Sequence, residues 1–257
     1  MDFLFFKSVQ LNFTIGQKII LLPGLFLTLG LFLAGCKFHT YTDKNSGPVV
    51  KQTLSEQKFN SMKVSTDIVD TELHVGKTHK VIYRGLIRFK PSVQIKNGIL
   101  TIKQENKGGR YRISKDNVIA IYLPAKELQK IDMHLEDGDV DFYGNIQAKN
   151  IALSAEDGDI TIDSLYAKNK AKIDSEDGDI EVDKLFTTNG AKITSEDGDI
   201  KVKQSNAHGY YLSSDDGDVT FKGTDHDNDD DGGSYTKNIS SSNVLFAHSD
   251  DGDVTVN

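Results

Sequence analysis

The stretch Ser175-Glu176-Asp177-Gly178-Asp179-Ile180, SEDGDI, decides the fold because the chain repeats it. The same six residues return at 195–200, and near copies lie on either side. The central glycines of the first four blocks are 20 residues apart, and the next gaps are 19 and 35 residues. These glycines are Gly138, Gly158, Gly178, Gly198, Gly217 and Gly252. A repeat of nearly constant length is typical of an architecture that stacks one structural unit.

Alternating apolar residues on both sides of each block predict two strands per repeat. Ile173 and Ser175 precede SEDGDI at alternate positions, and Ile180 and Val182 follow it. The inward positions change parity across the block, so a straight strand cannot pass through it. We expect the backbone to bend there, with glycine supplying a positive φ and the aspartates accepting hydrogen bonds from neighbouring N–H groups.

A third apolar position in each repeat, at Ile146, Leu165 and Leu185, favours a three-sided coil. The sequence therefore predicts an all-β fold, a right-handed β-solenoid like a single-stranded β-helix, with coils of about 20 residues. An antiparallel β-meander, in which each Asp-Gly is a hairpin turn, is the alternative. The insertion at 224–243 fits the solenoid as an excursion from one corner. The C-terminal block is expected to leave an exposed edge through which the chain could self-associate.

The residues before the repeats also alternate between apolar and polar side chains. Asn97-Gly98 lies between two such runs and predicts a hairpin over residues 92–104, because a type I′ turn needs positive φ at both central positions. Pro124 is expected to end a strand, and residues 125–130 could form a short helix.

The first 35 residues have the features of a lipoprotein signal peptide. An uncharged run at 19–35 follows Lys7 and Lys18 and ends at Leu33-Ala34-Gly35-Cys36. This ending is similar to a bacterial lipobox, which implies cleavage before Cys36 and a diacylglyceryl group on its sulfur. An uncleaved membrane anchor is the alternative.

The predicted domains follow from this signal. Residues 1–35 are the signal peptide, residues 36–57 are the lipidated cysteine and a flexible tether, and residues 58–257 are the β-repeat domain. The domain is expected on the extracytoplasmic side of the cell membrane, held there by its lipid anchor. Cys36 is the single cysteine, so the chain has no internal disulfide.

The net charge of the predicted mature chain restricts the kinds of molecule that it can bind. Without residues 1–35 the chain has 28 basic and 37 acidic residues, a net charge of −9. Such a surface repels nucleic acid and anionic lipid headgroups, so no nucleic-acid partner is predicted.

The acidic blocks raise the question of a metal. Stacked coils would align Asp137, Asp157, Asp177 and Asp197 about 4.8 Å apart, with ~1 kcal/mol of repulsion per pair in water. These side chains must face solvent or share cations such as Ca²⁺. Solvated turns are the favoured interpretation, so no cofactor is predicted and Ca²⁺ stays open.

The insertion offers a second weak candidate for calcium. Asp227, Asp229 and Asp231 with Gly232 match the first half of an EF-hand loop, but Asn238 stands where the bidentate glutamate belongs. A solvated acidic loop is favoured.

No motif predicts catalysis. The seven histidines show no metal-ligand spacing, and the chain has no nucleophile elbow, no zinc-protease motif and no phosphate-binding loop. No catalytic residue is therefore predicted, and a carbohydrate-active β-helix enzyme is the least favoured alternative.

Four segments together resemble a known family. They are FNSMKVSTDIVDTELHVG at 59–76, VQIKNGILTIKQ at 93–104, NVIAIYLP at 117–124 and the tandem SEDGD blocks. Over residues 58–257 the chain resembles the bacterial family of candidate adhesins with β-strand repeats, a domain of unknown function. The resemblance implies an all-β, solenoid-like domain attached to the cell envelope, linked in some members to envelope-stress systems, with no catalytic residues.

These observations predict a lipid-anchored surface protein that acts as a non-catalytic binding, adhesion or structural module. Its expected partners are the membrane through the anchor, and a cell-wall polymer or an envelope or host protein. A sensor of envelope stress, acting with a membrane protein, is the alternative function.

Overall fold

The computed structural model describes residues 47–105, 117–226 and 232–257. These residues form one mixed β-sheet of 20 strands and a single turn of 3-10 helix at Ile87–Phe89. The all-β prediction is confirmed. The predicted signal peptide, Cys36 and the acids at 227, 229 and 231 lie outside the described residues. The described part of the chain contains no helix with the length and hydrophobicity of a membrane span.

The strands are numbered in chain order. The first seven are β1 Val49–Ser55, β2 Ser61–Thr66, β3 Asp70–Gly76, β4 Lys80–Leu86, β5 Ser92–Lys96, β6 Ile99–Gln104 and β7 Val118–Pro124. The middle seven are β8 Leu128–Leu135, β9 Val140–Ala155, β10 Ile160–Asp174, β11 Ile180–Val182, β12 Leu185–Thr187, β13 Ala191–Ser195 and β14 Ile200–Val202. The last six are β15 Gly209–Ser214, β16 Val219–Phe221, β17 Thr224–Asp225, β18 Gly233–Lys237, β19 Val244–Ser249 and β20 Val254–Val256.

Consecutive repeats in the middle of the chain pair in parallel and not as hairpins. Ile160 lies between Val140 and Ile180 in the sheet, at offsets of 20 residues. Leu165 pairs with Ile146 and Leu185 on the third side. We call the strand before a turn block, the block and the strand after it a layer.

The apolar residues of each layer point inward and stack on those of the next. Ile160, Ile180 and Ile200 are fully buried, as is Leu165 on the third side. Identical spacing in each repeat therefore produces one continuous core along the stack, because every layer presents the same apolar positions at the same height.

The order of the layers departs from the chain order at the N-terminal end. The layer of β2 and β3 comes first in the sequence, yet it lies inside the stack. β2 pairs in parallel with β6 on one side and β8 on the other, while β3 pairs with β7 and β9. The layer of β6 and β7 is therefore outside it.

The C-terminal end has the same permutation. β19 pairs in parallel with β13 and β15, and β20 pairs with β14 and β16. The last layer in the sequence thus lies between two earlier ones. The expected exposed edge at the C-terminal block is wrong, because Val254–Val256 has a strand on both sides.

Antiparallel strands cover both outermost layers. At the N-terminal end β5 pairs with β6, β4 pairs with β7, and β1 pairs with β4. At the other end β18 pairs with β15 and β17 pairs with β16, so the 224–243 insertion supplies the cover. The insertion is more than the predicted excursion from a corner.

Three local predictions also have outcomes. The 92–104 hairpin is confirmed, with φ of 53° at Asn97 and 76° at Gly98. The short helix at 125–130 is wrong, because Leu128 begins β8. Residues 49–55, which are predicted from the sequence to belong to the tether, form β1.

Candidate functional site: an acidic ridge

The turn blocks stack directly on one another, and this stacking explains their glycines. A Cβ on Gly178 would lie 2.2 Å from the carbonyl oxygen of Gly158, and a Cβ on Gly198 would lie 2.2 Å from that of Gly178. None of the six block glycines has φ in the left-handed region. The predicted positive φ is therefore wrong: the glycines are needed because adjacent layers approach too closely for a side chain.

Buried serines complete four of these turns. The Oγ of Ser175 accepts a hydrogen bond of 3.1 Å from the Gly178 N–H, three residues further on. Ser195, Ser214 and Ser249 make the same contact with their own block glycines. Ser249 also donates to the carbonyl of Gly198 in the neighbouring layer at 2.9 Å, so the serines satisfy polar groups both within a layer and between layers.

The second aspartate of each block forms a ladder along the stack. The carboxylate of Asp179 accepts the backbone N–H of Asp199 at 2.9 Å, and Asp159 does the same for Asp179. The ladder continues through Asp253 to Asp218 at one end and through Asp139 to Asp70 at the other. The aspartates bond to neighbouring N–H groups as predicted, but across layers and not within one turn.

The two remaining acids of each block point outward, and we call them the acidic ridge. In stacking order they are Glu136, Asp137, Glu156, Asp157, Glu176, Asp177, Glu196, Asp197, Asp250, Asp251, Asp215 and Asp216. Their layers are held by backbone bonds such as Asp177 N–H to Glu156 O and Asp197 N–H to Glu176 O, both 2.9 Å. Asp137, Asp157, Asp177 and Asp197, the weak metal candidates of the sequence, are exposed members of this ridge.

Partial burial and mutual repulsion raise the pKa values of two acids at the N-terminal end of the ridge. Partial desolvation, followed by the charges of Asp157 and Asp67, raises the pKa of Asp137 above its ordinary value. Desolvation, Asp67 and Glu156 likewise raise the pKa of Glu136. The row is therefore a region of concentrated negative potential, which cationic ligands would relieve.

Asp70, the first member of the ladder, is the most perturbed of these acids. Burial is the main cause that raises its pKa to about 6, and the charges of Asp139, Asp141 and Glu72 add to it. The hydrogen bond from the Asp139 N–H acts in the opposite direction. At neutral pH the fold therefore holds a charged carboxylate in an unfavourable place.

The flat faces differ from the ridge because lysines pair with several of their acids. Lys203 contacts both Glu181 and Asp183, and these bonds raise the pKa of its ammonium group. Lys172 pairs with Asp174. The ridge blocks themselves contain no lysine or arginine.

Asp215, His248 and Asp250 form a cluster of possible metal ligands that their spacing in the sequence does not predict. Single donor atoms of Asp215, His248 and Asp250 lie within 4.8 Å of one another, and Ser213 contacts the other ring nitrogen of His248 at 2.9 Å. His248 Nε2 is 2.9 Å from an Asp250 oxygen, and the three side chains are of the ligand types that bind a divalent cation. Asp215 and His248 meet only because the last layer is inserted beside β15.

Solved structures that align with the chain are described as candidate adhesion proteins. One from Clostridium sporogenes is 16% identical, with 81% of this chain and 97% of that chain covered and a TM-score of 0.46. One from Parabacteroides distasonis is 12% identical, with 82% and 98% covered and a TM-score of 0.40. One from Bacteroides fragilis is 11% identical, with 81% and 96% covered and a TM-score of 0.35.

No curated protein matches the chain in sequence. A family model does match it, in two overlapping stretches at residues 59–229 and 170–257, and so covers the β-repeat domain. The chain therefore belongs to the Toastrack DUF4097 family.

Proposed function

We propose that the chain is a lipid-anchored cell-surface protein that acts as a non-catalytic binding or adhesion module. The acidic ridge is its binding surface. The observation that carries this proposal is the fixed row of twelve outward carboxylates, repeated layer by layer on a backbone that is hydrogen-bonded through every turn.

The coil geometry supports a rigid display of this row. Parallel pairing at an offset of 20 residues makes each middle layer one coil of about 20 residues, and crossover connections between parallel strands are almost always right-handed. We infer a right-handed β-solenoid for these layers. Its side chains recur about every 4.8 Å, a spacing that a polymer with repeated charges can follow.

The ligand of the ridge carries positive charge. A row of closely spaced carboxylates gains most from a cation or from repeated cationic groups, because each positive charge relieves repulsion between neighbouring layers. That repulsion contributes to the raised pKa values of Glu136 and Asp137. A cell-wall polymer or an envelope or host protein with such groups fits the ridge, and calcium could bridge it to an anionic ligand.

The anchor places this surface outside the cell. The Leu33-Ala34-Gly35-Cys36 ending supports a diacylglyceryl group at Cys36. Mass spectrometry of the membrane-bound protein should show that adduct on Cys36 at the N-terminus of a chain that has lost residues 1–35. A membrane-bound chain that keeps residues 1–35 and has no adduct would favour the uncleaved anchor.

The binding test compares two sets of cellular material. The unlipidated mature chain, residues 36–257 with Cys36→Ser, is incubated with purified cell wall and, separately, with detergent-solubilised membrane proteins. We expect retention by the wall at low salt, weakening as salt rises. Capture of one membrane protein with no retention by the wall would support the alternative, an envelope-stress sensor.

A ridge variant locates the binding surface. Glu176→Gln, Asp177→Asn, Glu196→Gln and Asp197→Asn together remove four ridge charges and leave the Asp179 and Asp199 ladder intact. Wall retention should fall at least tenfold. The matched control removes four acids from the flat faces, at Asp132, Asp163, Glu181 and Asp183, and should change retention little. Equal loss in both variants would show that net charge and not the ridge is responsible.

A further inference from the structure

The negative net charge hides a separation of charge along the stack. Among the residues that the structure describes, those from 47 to 130 include 12 lysines and arginines and six acids, whereas those from 131 to 257 include 10 and 25. The first group includes all the strands of the N-terminal end, from β1 to β7. The outer N-terminal end is therefore basic although the protein as a whole is acidic.

A compact patch at this end combines positive charge with exposed aliphatic side chains. Lys51 on β1 lies opposite Arg84 on β4, and both are exposed. Val49 is 61% exposed and Ile87 is 39% exposed, and Arg88 follows Ile87 in the chain. We call Val49, Lys51, Arg84, Ile87 and Arg88 the basic edge.

The basic edge lies where the chain enters the fold. The Ile87 N–H donates to Pro48 O at 2.9 Å, and a Cβ on Gly47 would lie 2.8 Å from a methyl carbon of Ile87. Ten residues separate Cys36 from Gly47. Fully extended, they reach at most about 40 Å, so a lipid on Cys36 would keep the edge close to the bilayer surface.

Exposed aliphatic side chains beside lysine and arginine suit an anionic bilayer surface. Each basic residue near such a surface contributes attraction that decays within about 8 Å at physiological ionic strength, and the aliphatic groups enter the boundary between headgroups and acyl chains. The acid-rich opposite end is repelled from the same surface. Both effects favour one orientation.

We propose that the basic edge docks on the anionic lipid headgroups of the membrane that anchors the chain, so that the stack stands with its acid-rich end away from the bilayer. The orientation rests on the proposed lipid anchor, whereas the affinity for headgroups is a property of the folded domain alone. In this orientation the C-terminal part of the acidic ridge faces away from the bilayer, toward the cell wall.

The experiment measures co-sedimentation of the unlipidated mature chain, residues 36–257 with Cys36→Ser, with lipid vesicles. Vesicles of phosphatidylglycerol mixed with phosphatidylcholine should retain the protein, and vesicles of phosphatidylcholine alone should not. Retention should fall as salt is raised. Because this protein has no lipid, the result is independent of the anchoring test on Cys36.

Variants assign the interaction to the edge. Lys51→Glu with Arg84→Glu should lower retention at least tenfold, and circular dichroism checks that the variant keeps the fold. Lys168→Glu with Lys184→Glu makes the same change of charge at exposed sites in the middle of the stack and should have little effect. Val49→Ser with Ile87→Ser should lower retention with no change of charge.

Several results would overturn the proposal. They are equal retention by both kinds of vesicle, no retention by either, equal loss in the edge and control variants with unchanged circular dichroism, and binding of an anionic wall polymer by this edge without binding of vesicles. Failure here with a diacylglyceryl adduct found on Cys36 would leave the anchored binding module in place and remove only the docking.

Discussion

The two ends of the stack are closed by the same arrangement of strands, although the sequences that form it are unrelated. At each end the terminal layer of the chain is inserted one position inward, and antiparallel strands cover the layer left outside. Each end also has a buried asparagine, Asn117 and Asn243, that bonds across the closure. The repeats specify what a layer looks like, whereas the segments without repeats specify which layer lies beside which.

The ends differ in how much strand covers them. At the N-terminal end, β1 and β4 are both seven residues long, and the β5–β6 hairpin lies at the same end. At the other end β18 has five residues and β17 has two. The C-terminal closure has the smaller sheet area, so it should be the easier one to break.

Removing the C-terminal cover should have the largest effect. Deletion of residues 226–237 removes β18 and leaves ten residues between Phe221 and Val244, where the middle of the stack uses eight between Val182 and Ala191. The uncovered edge of β15 should then pair with another molecule. Sedimentation velocity should show concentration-dependent association.

The matched deletion removes only residues 227–231 and keeps β18. This protein should stay monomeric under the same conditions. A monomeric 226–237 deletion with an unchanged melting temperature would mean that β15 needs no cover.

An alanine in the inserted layer should open the C-terminal end from within. A Cβ on Gly252 would lie 2.3 Å from Gly198 O, and the Gly252 carbonyl in turn is covered by Gly217. Gly252→Ala should lower the free energy of unfolding by about 3 kcal/mol, near the top of the usual range for overpacking. Denaturant titration measures it.

Gly223 is the control for that substitution. Nothing lies within 4 Å of a Cβ at this position, although its φ is 71°. Gly223→Ala should cost about 1 kcal/mol from the backbone conformation alone. Equal losses at both positions would contradict the close stacking of the turns.

The two buried asparagines give a direct comparison of the ends. Asn243 accepts from the Thr187 hydroxyl at 2.8 Å and donates to the carbonyls of Thr187 and Asn206. Asn117 accepts from the Leu86 N–H at 2.9 Å and from the Tyr83 hydroxyl, which also donates to Leu86 O. Asn243→Ala should cost about 2–3 kcal/mol, because it takes a partner from the Thr187 hydroxyl and from two carbonyls. Asn117→Ala should cost about 1–2 kcal/mol, because the Tyr83 hydroxyl keeps Leu86 O as its acceptor.

Thermal unfolding of both asparagine variants tests this order. The reverse order would mean that the longer strands at the N-terminal end do not make its closure more tolerant.

The geometry of a layer could be predicted from the sequence because every repeat has apolar residues at the same spacing. The inward residues Ile160, Leu165 and Ile173 follow from parity and spacing, and Asn97-Gly98 fixes its hairpin through local turn chemistry. The match to the Toastrack DUF4097 family supports the resemblance drawn from the same segments.

The order of the layers could not be predicted, because the blocks are alike. Val254 can replace Val219 beside Ile200 with no loss of register, since both follow an Asp-Gly-Asp and both are small and apolar. The repeats can therefore pair in parallel in more than one order with equally good side-chain matches. The Asp215–His248 contact and the covering role of the insertion depend on that order, so neither has a signal in the spacing.

The role of the glycines cannot be predicted from the sequence for a related reason. A single sequence shows that Gly178 follows Asp177 at a bend, and bends commonly need positive φ. The carbonyl of Gly158 at 2.2 Å from a Cβ on Gly178 belongs to another layer, and only the stacked structure reveals it.

The smallest predicted effect is a gain in stability, not a loss. It concerns Asp70, beside the inserted N-terminal layer. Its pKa is about 6 in the folded protein against 3.8 ordinarily, so the folded state binds the proton more tightly than the unfolded state. The free energy of unfolding should therefore fall as pH rises from about 4 to about 6 and be level above that. Asp70→Asn removes the charge and keeps an acceptor for the Asp139 N–H.

Thermal unfolding of Asp70→Asn and the parent across pH 4–8 separates this effect from other titrations. At neutral pH the variant should melt a few degrees higher, corresponding to about 1 kcal/mol, and the difference should vanish below about pH 4. Asp177→Asn, on the exposed ridge, is the control for the removal of one negative charge. A variant that is less stable at neutral pH would mean that the charged carboxylate stabilises the turn through its bond to Asp139, and that the N-terminal end tolerates its acids as well as the ridge does.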